Sequence, residues 1–148
     1  MVSVDTNILL YAYVTKAPEY SASLRFLESL AVREDVVISE LALIEFYRLL
    51  RNPAVLAHPL SASEAVEVIQ AYRLHPYWRL VGFPSNSRRV HDRLWQVAEK
   101  DGFAYRRIFD ARLALTLIEQ GVTDFATVNV KHFLGLGFQR VWDPLAKA

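Results

Sequence analysis

Four oxygen-bearing side chains are placed where chemistry could be done: Asp5, Glu45, Asp110 and Asn129. Each either ends an apolar run, opens one or interrupts one. Carboxylates brought together raise each other's pKa unless a cation joins them. An all-oxygen set suits Mg²⁺ or Mn²⁺ rather than zinc. A cation so held could lower the pKa of a bound water, with Glu45 or Asp110 able to accept its proton.

Each of the four also has a plainer role open to it. Val2-Ser3-Val4 alternate into Asp5, and an apolar segment follows at once, so Asp5 stands at a strand's carboxyl end. There it either serves a ligand or, like Thr6, caps the next helix. An aspartate-nucleophile phosphatase would need a second aspartate at position 7; Asn7 stands there, and that chemistry is set aside. Glu45 lies among Leu41, Ala42, Leu43, Ile44, Phe46 and Tyr47. Buried alone it would suffer a large desolvation penalty, which a cation, or Arg48 at i+3, would relieve. Three residues before Leu113, Asp110 continues the stripe Leu113, Ala114, Leu117 and Ile118, and so points inward near a helix N-terminus. Capping explains an aspartate there too. Asn129 follows Phe125 to Val128, either as a turn residue or as a neutral oxygen ligand.

The elements that must position these groups can be read along the chain. Residues 2–5, 36–38, 78–81, 125–128 and 140–142 predict strands. Helices are predicted from Ile8 to Val14, Glu19 to Val32, Glu40 to Leu50 behind Ser39 as N-cap, Ser61 to Leu74, Arg88 to Glu99 and Arg107 to Glu119, with Gly121 just past the last. A loop with two glycines follows Asn129. Short apolar strands alternating with helices predict an α/β sandwich around a parallel sheet.

A chain of 148 residues fits one domain and buries enough surface to need no staple. It contains no cysteine, which removes disulfides, thiolate metal sites and cysteine nucleophiles and is compatible with a cytoplasmic location. The longest apolar run, Ile8 to Val14, is too short to cross a bilayer, and Asp5 falls where a secretion signal would continue. Net charge is +1, but residues 86–112 hold seven Lys/Arg against four Asp/Glu. Of Arg88, Arg89, Arg93, Arg106, Arg107 and Arg112, the last is the preferred phosphate contact, two residues past Asp110. Of the four histidines only His132 lies near the proposed site.

The ordered set Val4-Asp5-Thr6-Asn7-Ile8-Leu9-Leu10-Tyr11-Ala12, Ile38-Ser39 with Glu45-Phe46, Ile108-Phe109-Asp110-Ala111-Arg112-Leu113-Ala114, Thr127-Val128-Asn129-Val130-Lys131-His132-Phe133 and Val141-Trp142-Asp143-Pro144-Leu145 resembles the PIN-domain ribonucleases, and among them the VapC-type toxins of toxin–antitoxin pairs. The resemblance implies a PIN-like three-layer sandwich over residues 1–148, with a central parallel sheet of four to five strands flanked by helices. It also implies a homodimeric endoribonuclease, dependent on Mg²⁺ with Mn²⁺ as a substitute and held inactive by a cognate antitoxin protein. Carried over, Asp5 and Asp110 match the direct metal ligands, Glu45 the acid completing the site, and Asn129 the fourth acidic position. Thr6 and Arg112 are the expected substrate contacts. Asn at 129, and His132 where relatives often carry an acid, favour a single well-held ion. The rival readings are a non-catalytic PIN-fold module that binds RNA or protein, and a phosphodiesterase acting on DNA. The apolar surplus from Ile8 to Leu30 predicts a groove there for an amphipathic partner helix.

Overall fold

β-Branched residues and serine dominate the first two strands, and their register fixes the rest of the chain. In the computed structural model, which describes residues 1–146, these are β1 (Val2–Val4) and β2 (Val36–Ser39). They join β3 (Arg79–Val81), β4 (Asp124–Ala126) and β5 (Arg140–Trp142) in one parallel sheet, ordered β3-β2-β1-β4-β5. The chain runs outward from β1 to β3, then returns to the other side of β1 as β4. The sheet's topological switch point therefore lies between β1 and β4, the place where α/β sheets open a crevice beyond their carboxyl ends.

Seven α-helices among the described residues cover the sheet: α1 (Thr6–Tyr13), α2 (Tyr20–Ser29), α3 (Glu40–Leu50), α4 (Ala62–Arg73), α5 (Ser87–Ala98), α6 (Ile108–Glu119) and α7 (Val130–Phe133). A 3₁₀ turn, Tyr105–Arg107, leads into α6. Alternate residues of each strand serve opposite faces. Val36 and Ile38 pack with Ile8, Leu9, Leu27, Leu43 and Phe46 of α1 to α3, while Val37 packs with Leu113, Ala114 and Leu117 of α6. Phe46 and Phe125 anchor the two cores at 0% exposure, each burial contributing about 1.5–3 kcal/mol. The expected three-layer sandwich is present, at the upper end of the expected strand number.

Local signals set several boundaries. Ser39 caps α3 through Leu41 N, and Ser61 with Glu64 forms a capping box at α4. Gly121, at φ +93°, takes the left-handed conformation that ends α6, and a Cβ there would meet the Met1 methyl at 2.8 Å.

Four expectations need correction. The second helix stops at Ser29 rather than Val32: the next amides turn back over three residues, and the Leu30 carbonyl accepts the Trp78 indole N–H at 3.0 Å. The fourth strand ends at Ala126, not Val128, because the Thr127 hydroxyl accepts the Asn129 amide and bends the chain out of the ladder. What was expected as loop after Asn129 begins with α7. The apolar surplus between Ile8 and Leu30 is spent on the core, since Ile8, Leu9, Leu27 and Leu30 are all buried. The exposed apolar groove lies instead between α3 and α4, about 280 Å³, with Leu43, Ile44, Tyr47, Val66 and Ile69 along it and the Glu40–Arg73 ion pair on its rim.

Candidate metal centre

Parallel pairing sets Val4 of β1 beside Ala126 of β4, so the next residues along, Asp5 and Thr127, face each other at the switch point. Both are buried. The Thr127 hydroxyl donates to Asp5 Oδ2 at 2.7 Å, and the Thr6 amide donates to Oδ1 at 2.8 Å. Asp5 is thus both the cap of α1 and a carboxylate in the crevice; the two roles open to it are compatible. Burial pushes its pKa up to about 6, against the opposing pull of those two hydrogen bonds, and the charge of Asp110 raises it further. Thr127 is the residue that sequence reasoning missed. Once β1 and β4 are paired in parallel, its place beside Asp5 follows from register alone.

Asp110 reaches the site from the first turn of α6. Its pKa is raised, first by burial and then by the charge of Glu45, while His132 and Arg107 pull it down. His132 Nδ1 lies 3.4 Å from Asp110 Oδ2, and Arg107 donates from Nη2 to the His132 carbonyl. Helix α6 is buried on nearly every side: Leu113, Ala114 and Leu117 meet the sheet, and Ala111 and Leu115 meet Val90 and Leu94 of α5. A helix clamped on two faces fixes the direction of its first turn, which is what a ligand at position 110 requires.

Glu45 is held differently. Arg48 grips it with Nη2 to Oε1 at 2.6 Å and Nε to Oε2 at 3.1 Å, the arginine largely in solvent and Glu45 half-exposed. The ion-pair alternative is therefore realised, with Glu45 still close enough to Asp110 to act on its charge. Asn129 is exposed at the start of α7 and its side chain makes no capping hydrogen bond. Its backbone, not its amide group, is tied to the site, through Thr127. Thr6 turns its hydroxyl to the Ala42 carbonyl at 3.2 Å, linking α1 to α3. Arg112 stands roughly 200° round α6 from Asp110 at 3.6 residues per turn, and Arg107 is the arginine whose charge acts on Asp110.

Among the described residues, no group of three or more Asp, Glu or His converges to hold a metal unaided. Mg²⁺ does not ask for one: it is commonly held by one or two carboxylates together with waters and substrate phosphates. Asp5 and Asp110 fit that habit. They are hard oxygen donors, both with pKa raised first by burial, and the charge of Asp110 adds to the rise at Asp5, so a cation beside them would relieve an existing cost. Asn7 Oδ1, two residues on from Asp5, is also buried without a partner.

Residues 2–132 match the PIN domain family. Over 145 residues the chain is 48% identical to ribonuclease VapC24 of Mycobacterium tuberculosis, covering 98% of this chain and 97% of that one. Among solved structures it is similar to FitAcB of Neisseria gonorrhoeae, with TM-score 0.68, 20% identity and coverage of 97% of this chain and 98% of the other. It is also similar to VapC20 of M. tuberculosis, a Sarcin-Ricin loop cleaving toxin, with TM-score 0.62, 18% identity and coverage of 84% and 87%.

Proposed function

Because this chain belongs to the PIN-domain family, we propose that it is a divalent-metal-dependent endoribonuclease, the toxin of a toxin–antitoxin pair, working as one PIN-like unit. The observation that carries this reading is the pairing of Asp5 and Asp110, two carboxylates of raised pKa at the switch point of a parallel sheet. Asp5 and Asp110 would hold Mg²⁺, or Mn²⁺ in its place. When bound, the ion supplies activation of a water nucleophile and screening of the charge that develops on the phosphate.

The chain's own residues do the rest. Thr127 and the Thr6 amide aim the Asp5 carboxylate and keep it ionisable despite its burial. His132, placed by Arg107, steadies Asp110. Glu45 is the proton acceptor this reading favours, since Asp5 and Asp110 are committed to the cation; it must release at least one of its two bonds to Arg48 to serve. Position 129 adds an exposed amide and no charge, in keeping with a single firmly held ion.

An antitoxin and a second copy of the chain are the protein partners. VapBC2 of Rickettsia felis and FitAB, both complexes bound to DNA fragments, share the fold at 16% and 19% identity, and the α3–α4 groove offers an apolar seat for an amphipathic segment. No described helix is long and apolar enough to cross a membrane.

Incubation of purified chain with RNA and Mg²⁺ or Mn²⁺ tests the activity. Cleavage is expected to fall by at least about a thousand-fold in Asp5→Ala and in Asp110→Ala, as loss of several kcal/mol of charge stabilisation would require. Undiminished cleavage in both variants would reject the assignment.

A further inference from the structure

Two large aromatic rings stand in solvent beside the candidate centre. Tyr105, on the 3₁₀ turn, is 76% exposed, and Phe109, four residues on in the first turn of α6, is 75% exposed. Singly scattered surface aromatics need no explanation. These two are not scattered: they bracket Arg106 and Arg107, and Phe109 directly precedes Asp110. Arg106 donates from Nε to the Tyr105 hydroxyl at 3.1 Å, its guanidinium 5.6 Å from that ring's centre. Arg107 lies 5.9 Å from the Phe103 ring and is tied to His132. Lys131, exposed, adds a further positive charge beside His132. Exposed rings and guanidiniums thus share the short segment that leads into α6 and Asp110.

Resting on the ribonuclease reading above, we infer that Tyr105 and Phe109 form a base-stacking platform for the RNA strand, with Arg106 and Arg107 as its phosphate clamps. Rings and guanidiniums in alternation match the chemistry of a single strand, which offers a π-face and a phosphate at every nucleotide. An A-form duplex hides its base faces in the stack and presents chiefly shape, phosphates and 2′-hydroxyls. Charge complementarity and continuity with the carboxylates favour RNA over a protein surface here. Five of the six arginines thereby divide: Arg106 and Arg107 serve the strand at the site, while Arg88, Arg89 and Arg93 line a separate shallow pocket on α5.

The test uses a short single-stranded RNA carrying 2-aminopurine beside the cleaved bond. Binding to the wild type is expected to quench its fluorescence. Tyr105→Ala and Phe109→Ala should each lose quenching and raise KM roughly ten-fold, within the range set by stacking of one base, with kcat changed less. Tyr105→Phe and Phe109→Tyr should restore both signals. An RNA with an abasic site at the stacked position should show the same loss and make the alanine variants redundant. Mn²⁺ calorimetry should be unaltered in all four variants, which separates the platform from the metal centre. Unchanged KM and quenching in the alanine variants would overturn the inference. So would conversion of a dimer to a monomer with KM unchanged, which would make the strip a protein interface. If the wild type cleaves no RNA, the ribonuclease reading fails by itself; quenching still reports stacking, and its absence overturns the platform.

Discussion

At the floor of the candidate site Asp5, Thr6 and Thr127 are buried and mutually bonded. At its rim Asp110, Glu45 and His132 have side chains 40–46% exposed, with partners that can let go. The floor is assembled by the β-ladder, whose register leaves one arrangement open. The rim is assembled by side chains reaching from α3, α6 and α7. Rigid placement of one ligand with adjustable placement of the others suits a centre that is completed by its substrate. It also means that the floor carries the larger stability cost, since burial raises Asp110 at the rim less than Asp5.

The largest test of that difference is Asp5→Asn in the metal-free protein. Asp5 has a folded pKa of about 6 against 3.8 when unfolded. A raised carboxylate pKa favours folding fully below the unfolded value, and that advantage disappears as pH rises through the folded one. Metal-free wild type should therefore lose about 3 kcal/mol of stability between roughly pH 4 and pH 6, at 1.36 kcal/mol per unit. Asp5→Asn should flatten that slope and be the more stable chain at pH 7 while inactive. Added Mn²⁺ should raise the melting temperature of the wild type alone. Parallel pH–stability curves for the two chains would remove the distinction between floor and rim.

Thr127→Val asks whether the floor's hydrogen bonds matter as much as its burial. Valine keeps the shape, but Asp5 Oδ2 loses its donor and the Asn129 amide its acceptor. The expected cost is about 1–3 kcal/mol in urea unfolding. Because the lost bond is one that lowers the Asp5 pKa, the acid limb of the pH–rate profile should move to higher pH. Thr127→Ser should return both. A shift in stability without one in the pH profile would mean that Thr127 only packs.

The same contrast explains what could be read from the residues alone. Strand ends are marked by short β-branched runs, and helix starts by Ser39, Ser61 and the stripe on α6, so the sheet, its flanking helices and the placing of Asp5 and Asp110 were legible. Thr127 was not, because its role depends on which strands are neighbours, a non-local fact that period and propensity do not carry. Glu45 shows the opposite failing. Its apolar sequence neighbours imply burial, yet the side chain leaves the core and meets Arg48. The exposure of Tyr105 and Phe109 was invisible for a similar reason: an aromatic residue beside an apolar helix reads as core until the packing says otherwise.

Arg48→Ala is the smallest and most discriminating perturbation of the rim. An exposed i,i+3 pair contributes little, so unfolding free energy should change by less than about 0.5 kcal/mol. The catalytic consequence has a different sign from that at the floor. Removing Arg48 frees both oxygens of Glu45, which no longer has to break a bond before it can take the proton of a water. Turnover should rise a few-fold, roughly two to five, with no change in Mn²⁺ affinity, because Asp5 and Asp110 keep their own partners. A fall of ten-fold or more would instead assign Arg48 to the phosphate, and Glu45 would then be the residue that positions it.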